Sequence, residues 1–249
     1  SGYAITSQGD GTTIKVKDQA TGDEDTITGV QTLRFDDGEL TVSWGANDTN
    51  RLILTGSGGP DSIKVMGQNP VTIIGGEEAD NMEGGSGDDL LRGSGGSDSI
   101  KGNFGEDIIF GESGADNIFG GDGNDTIDGG VGADTIKGGP GSDTITGGDD
   151  IDVAVFSGNQ SHYTFESSAN GLTITIVDTR DNSVDTVTGI ETLRFIDGEI
   201  AVSKDVSGLV LTGSGGADNI KVVGAVPVTV KSAGGDDTLE GGLGDDTIT

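Results

Sequence analysis

Residues 84–146 read G-G-S-G-D-D-L-L-R, G-S-G-G-S-D-S-I-K, G-N-F-G-E-D-I-I-F, G-E-S-G-A-D-N-I-F, G-G-D-G-N-D-T-I-D, G-G-V-G-A-D-T-I-K and G-G-P-G-S-D-T-I-T. One nine-residue phrase follows another without a gap, and a looser unit on either side extends the array to residues 75–155. A glycine opens every unit. The sixth place holds Asp80, Asp89, Asp98, Asp107, Asp116, Asp125, Asp134, Asp143 and Asp152. The eighth holds Met82, Leu91, Ile100, Ile109, Ile118, Ile127, Ile136, Ile145 and Ala154.

Each residue type has a physical consequence. The glycine-rich places before the aspartate allow positive φ and close backbone approach, so the chain can turn sharply there. The three residues after the turn alternate polar, apolar, polar, the period of a short half-buried strand. One unit is thus a turn plus a strand, and two units make one coil of a flattened solenoid with the eighth-place side chains inward. Coils stack roughly 4.8 Å apart. The aspartates then form two columns, one running from Asp80 through Asp98, Asp116 and Asp134 to Asp152, the other from Asp89 through Asp107 and Asp125 to Asp143.

Carboxylates so spaced should not all ionise unaided, because like charges raise one another's pKa. A hard divalent cation between successive turns removes the conflict. Calcium takes six or more oxygens at about 2.3–2.6 Å, and the turns offer backbone carbonyls beside each carboxylate, whereas magnesium demands stricter octahedral geometry. Zinc or copper would call for His or Cys, and the chain has one histidine and no cysteine.

The pattern G-G-x-G-x-D-x-(apolar)-x over residues 56–155 and 213–249 resembles the repeat of the RTX (repeats-in-toxin) family, a calcium-binding β-helix motif. The resemblance implies an all-β, right-handed parallel β-roll with several Ca²⁺ ions in its turns. It also implies export by type I secretion machinery and a secreted, extracellular or cell-surface bacterial location. Carried over place by place, the metal-binding carboxylates are those of the two columns together with Asp61, Asp218, Asp237 and Asp246. The turn backbone is that of Gly84, Gly87, Gly93, Gly96, Gly102, Gly105, Gly111, Gly114, Gly120, Gly123, Gly129, Gly132, Gly138 and Gly141.

Composition agrees with a metal-bound β protein. The 249 residues include 48 glycines but only 4 prolines, with 43 acidic against 13 basic residues and a net charge of −30. High charge with few aromatics favours disorder, which the strict register opposes for the metal-bound state and supports for the metal-free state. A phosphate backbone would be repelled, so nucleic acid is excluded as a partner. No apolar run is long enough to span a membrane. Without disulfides, calcium is expected to supply the cross-links. Ser1 and Thr249 read as cut points in a longer parent, and they say little about targeting.

Outside the array the chain repeats itself on a longer period. Residues 25–35 (D-T-I-T-G-V-Q-T-L-R-F) recur at 185–195 (D-T-V-T-G-I-E-T-L-R-F), within β-rich segments offset by 160 residues. Residues 52–65 recur at 209–222. Both copies then carry an irregular insert, 65–74 and 222–231, expected to be a coil without an acidic turn in which Pro70 and Pro227 bulge outward. The expected division is a capping module (1–51), a calcium-binding β-roll (52–156), a second capping module (157–208) and the start of a second roll (209–249). Neighbouring modules of the same chain are the expected partners of each.

Some residues break the phrase. Glu78 and Asp150 occupy the fourth, glycine place, where a side chain strains a turn; Ser94, Asn103 and Glu112 replace the second glycine. Phe104, Ile108, Phe110 and Phe119 stand where water-facing residues belong and are expected to pack beneath a neighbouring module rather than form a contact surface. Trp44 is read as core or linker packing, Arg34 and Arg194 as partners for nearby aspartates, and His162 as a surface residue. No catalytic constellation is present, so the expected function is a non-enzymatic calcium-binding module. The rivals are a calcium-stiffened spacer or adhesive module of a surface protein, and the non-catalytic C-terminal part of a secreted enzyme.

Overall fold

A computed structural model describes residues 3–7, 13–18, 24–28, 32–35, 38–44, 51–169, 171–205 and 208–249. The described chain is all β apart from one 3-10 turn at Gln160–His162. Within the array, successive units fall alternately into two sheets. Leu90–Gly95, Ile108–Ser113, Thr126–Val131 and Thr144–Asp149 stack in parallel in one. Asn81–Glu83, Ser99–Phe104, Asn117–Asp122, Thr135–Lys137 and Val153–Val155 stack in the other. The register is one coil: Ile109 faces Ile127, which faces Ile145, and Ile100 faces Ile118, which faces Ile136. This is a parallel β-solenoid. Its eighth-place side chains are all fully or almost fully buried, as a period-2 strand with one apolar residue requires.

The inserts keep the stack going. Val71–Gly76 pairs in parallel with Leu52–Thr55 on one side and Leu90–Gly95 on the other, so residues 65–76 complete a coil whose turn lacks an aspartate. Pro70 and Pro227 are exposed, as expected of an outward bulge.

The segment 156–205 joins the same sheets. Tyr163–Ser167, Thr173–Asp178 and Val184–Thr188 form an antiparallel meander whose last strand pairs in parallel with Thr144–Asp149. Thr192–Phe195 likewise continues from Val153–Val155. Gly198–Asp205 then reverses direction, and Gly208–Thr212 reverses it again to start the second roll. One 14-stranded sheet therefore runs from the second roll through this segment and the array to Glu24–Thr28. A cluster of Phe156, Tyr163, Phe165 and Phe195, with ring centroids 5.2–6.0 Å apart, fills the segment's interior.

Two expectations change. Phe104 and Ile108 lie open to solvent, at 57% and 44% exposure, and no neighbouring module among the described residues covers them. Phe110 and Phe119 are half-buried beneath the cations of Arg92 and Lys137. Outward places in a single-layer coil have only their sheet neighbours to lean on. Arg194 does find a carboxylate, that of Glu199 at 2.7 Å rather than an aspartate, while the side chains of Trp44 and Arg34 lie outside the described residues. No helix among the described residues is long and apolar enough to cross a membrane, which says nothing of a β-barrel.

Candidate metal centre

The turns explain why glycine recurs. A Cβ at Gly114, Gly123, Gly132 or Gly141 would overlap the carbonyl oxygen of the fourth-place glycine one coil earlier, and each has φ between 128° and 142°. Only glycine meets both demands without strain. Where the phrase departs from glycine, the backbone holds its shape: Ser94, Asn103, Glu112 and Asp150 have φ of 73–85°. Glu78 is not among the residues with positive φ.

First-place glycines face a second set of oxygens. The Cα of Gly93, Gly102, Gly111, Gly120 or Gly129 looks onto the Oδ2 of its own turn's aspartate and the carbonyl of the first-place glycine of the next coil. Each gap between stacked turns is thus lined by glycine carbonyls from both coils and by one carboxylate oxygen.

The aspartates are not on the solvent side of the turns. All nine in the array are at most 3% exposed. The backbone N–H of each of the first seven donates to Oδ1 of the aspartate one coil later: Asp80 to Asp98, Asp98 to Asp116, Asp116 to Asp134 and Asp134 to Asp152, at 2.7–2.8 Å. The second column runs from Asp89 to Asp107, Asp125 and Asp143 at 2.8–2.9 Å. One oxygen of each carboxylate is therefore spent on tying coils together.

The other oxygen separates the aspartates into two groups. Oδ2 is buried without a hydrogen-bond partner in Asp80, Asp98, Asp107, Asp116, Asp125, Asp134, Asp143 and Asp152. In Asp61, Asp89 and Asp246 it instead accepts the N–H of Ser57, Gly85 and Gly242 in its own turn. Every member of the first group lies one coil beyond another acidic turn. Asp89 lies above the acid-free turn of the insert, where Val71 donates to its Oδ1, and Asp246 likewise takes the N–H of Val228. Asp218 is buried and holds the Gln160 side chain at 2.9 Å, while Asp237 is half-exposed and accepts the Asp218 N–H at 3.1 Å.

Electrostatics point to the same gaps. The Asp107 and Asp143 carboxyls are pushed up to about 7, and those of Asp80, Asp89, Asp116, Asp125 and Asp152 to about 6. Burial is the leading cause, opposed by the ladder hydrogen bonds; the neighbouring carboxylates add less. The expectation that mutual repulsion is the main obstacle is thus corrected: desolvation of the charged form is.

A buried anionic oxygen without a donor is costly, and a hard cation satisfies it. Among the described residues, no three carboxylate, imidazole or thiol groups converge to hold a metal by themselves. Adjacent turns contribute carboxylates one coil apart, and carbonyls must complete the shell. An all-oxygen set of carboxylate plus backbone carbonyl fits calcium and not a thiophilic metal.

Two ladder members escape the nonapeptide pattern. Asp185 Oδ1 accepts the Asp143 N–H at 2.9 Å, and Glu191 Oε2 accepts the Asp152 N–H at 3.0 Å. Burial pushes Asp185 up to about 6. The available signal was the tetrapeptide D-T-V-T at 185–188, a near copy of D-T-I-T at 143–146, hidden by a 42-residue spacing. His162 is half-exposed and accepts the Asn159 N–H at 3.3 Å.

Comparison with protein families agrees with this geometry. The family model of the RTX calcium-binding nonapeptide repeat matches residues 72–100, 83–118, 92–127, 119–154 and 229–249. Residues 72–154 and 229–249 thus match RTX calcium-binding nonapeptide repeats, which imply multiple Ca²⁺ ions. The solved structure of the extracellular lipase LipA from Serratia marcescens is similar at 20% identity over 74% of this chain and 28% of that one, with a TM-score of 0.26. A score that low carries no argument, and the chain spans only that 28% of the lipase's length. Among curated proteins nothing matches.

Proposed function

We propose that this chain is a non-catalytic calcium-binding module of a secreted protein, in which metal binding and folding are one event. The reading is carried by the eight buried Oδ2 atoms that have no hydrogen-bond partner, each in a gap between two acidic turns. Asp80, Asp98, Asp107, Asp116, Asp125, Asp134, Asp143 and Asp152 would supply the charge in these gaps, with Asp61 and Asp89 starting the columns. Asp218, Asp237 and Asp246 would do the same in the second roll. Carbonyls of the first- and fourth-place glycines would complete each shell.

Bound Ca²⁺ supplies the positive charge that desolvated carboxylates lack. The chain's own part is to close the coils. Oδ1 of each aspartate holds the preceding turn in register, the eighth-place side chain seals the interior, and glycine lets stacked carbonyls approach. Without the ion, one apolar side chain per nine residues is too little to offset chain entropy. In low-calcium cytosol the array would stay extended and exportable through a type I channel. Outside the cell, where module affinities typically lie near 10⁻⁴–10⁻³ M, it would fold and resist back-sliding.

A second reading, a calcium-stiffened spacer in a surface protein, draws support from the continuous sheet linking the first roll to the second. Far-UV circular dichroism during a calcium titration, with magnesium as control, tests the main proposal. A cooperative gain of β signal with calcium alone is expected. The same signal and the same thermal midpoint in chelator would overturn metal-coupled folding and leave only stiffening.

A further inference from the structure

Each gap inside the array has the same wall. Where a Cβ on Gly93, Gly102, Gly111, Gly120 or Gly129 would stand, Oδ2 of that turn's aspartate lies 2.1–2.4 Å away. The first-place glycine carbonyl of the next coil lies 2.4–2.7 Å from the same point. Gly147 opens the last acidic turn, that of Asp152, and the nonapeptide match is interrupted after residue 154. No repeat follows directly, yet the wall is complete. The equivalent point at Gly147 has Asp152 Oδ2 at 2.6 Å and the Gly189 carbonyl at 2.0 Å.

Residues 189–193 of the following segment take the place of the next coil. Glu191 Oε2 accepts the Asp152 N–H at 3.0 Å, as Asp152 Oδ1 accepts that of Asp134 at 2.8 Å. The Thr192 N–H donates to the Asp152 carbonyl at 3.0 Å, as the Val153 N–H donates to that of Asp134 at 2.9 Å. Leu193 then pairs with Ala154, as Ala154 pairs with Ile136. Glu191 thus stands at the sixth place of a coil that has no nonapeptide. Gly189 reaches its position with φ of 62°, a conformation open to glycine at no steric cost.

Asp152 is fully buried, and its Oδ2 has no hydrogen-bond partner. The Gly189 carbonyl cannot relieve it, because a carbonyl only accepts. An anionic oxygen and a carbonyl therefore meet with a second carboxylate beside them, and a hard cation satisfies all three. The other column ends differently. The three atoms nearest to a Cβ on Gly138 all belong to Asp143, out to 2.9 Å, so no carbonyl comes as close as in the array. Arg180 and Lys137 line the cavity beside Gly138 and Asp185 there.

We propose that Asp152, Gly189 and Glu191 form a terminal Ca²⁺ site, built jointly by the last acidic turn and the segment that follows the array. The inference rests on the calcium reading of the repeats and extends it past them. Its ion joins residues 39 positions apart in the chain, so calcium fastens the segment 156–205 to the array as well as closing the array's own coils.

Equilibrium dialysis of the full chain at saturating calcium counts the ions. Glu191→Gln keeps an oxygen for the Asp152 N–H and removes the charge. It is expected to bind about one ion fewer than wild type, with an unchanged β signal in circular dichroism. Glu199→Gln, whose side chain meets Arg194 on the exposed face, is the control and is expected to keep the wild-type count. Equal counts in Glu191→Gln and wild type would overturn the terminal site. Anomalous diffraction from wild-type crystals grown in calcium locates the ions without any variant. Density between Asp152 and Glu191 is expected, and density in the earlier gaps with none there would also overturn the site. A wild type that binds no calcium at all would instead defeat the calcium reading, and the terminal site with it.

Discussion

The array 75–155 and the segment 156–205 extend the same two sheets, yet they are held together by different forces. In the array each coil buries two eighth-place side chains and two carboxylates, and eight carboxylate oxygens have no protein partner. In the segment, four aromatic rings pack within 5.2–6.0 Å, with Phe165 fully buried. Its one buried aspartate outside the ladder, Asp178, is held by the Arg180 guanidinium at 2.9 Å. Strand pairing alone is common to both, and by itself stabilises neither. What differs is whether the interior is completed by side chains or left for an ion to complete.

The largest test of this contrast is removal of calcium. Hydrogen exchange in chelator is expected to strip protection from amides of the array while those of 163–195 retain a measurable part of theirs. Simultaneous loss in both would make the sheet one cooperative unit and dissolve the distinction. Next in size is Phe165→Ala, expected to cost about 3–5 kcal/mol in chemical denaturation with calcium present. It should leave the calcium midpoint of the array nearly unmoved; a matching shift would show that the aromatic core and the metal sites act together.

A smaller change is Asp116→Asn. The amide oxygen can still accept the Asp98 N–H, but the anionic Oδ2 is gone, so calorimetry should count about one or two fewer ions. Asp128→Asn, on the half-exposed ninth place of its unit, is the control and should change the count by none. Equal effects would remove the special standing of the inward column.

The smallest effect is that of pH in chelator. Folded pKa values raised from 3.8 to about 6 or 7 mean that the folded array holds more protons than the unfolded chain between about pH 4 and pH 7. Its stability therefore falls as pH rises through that window, and β signal lost at pH 7.5 should partly return near pH 5. Asp178 runs the other way: its hydrogen-bonded partner Arg180 lowers its pKa. Its contribution is present above the unfolded value and lost as pH falls through the folded one. Melting curves at pH 7.5 and pH 5 would show the opposed signs, and a single common sign would mean that burial is not what perturbs the array.

The legibility of the chain divides along the same line. The period of nine placed the strands, the inward side chains and both columns, because each of these follows from local spacing in an unbroken repeat. Asp185 and Glu191 were not found, since a meander separates them from Asp143 and Asp152. Phe104 and Ile108 were expected under a neighbour and are exposed, because periodicity says which residues face outward and nothing about what covers them.

By itself the sequence determined the turn–strand unit, the parallel stack and the all-oxygen chemistry of the gaps, for glycine, aspartate and isoleucine at fixed intervals permit little else. Only the tertiary structure decided which carboxylate oxygen ties coils together and which is left without a partner. That depends on whether an acidic turn lies one coil below, a relation between residues that pairing creates. It also decided that the segment after the array shares its sheets, because strand edges recognise one another by geometry and not by distance along the chain.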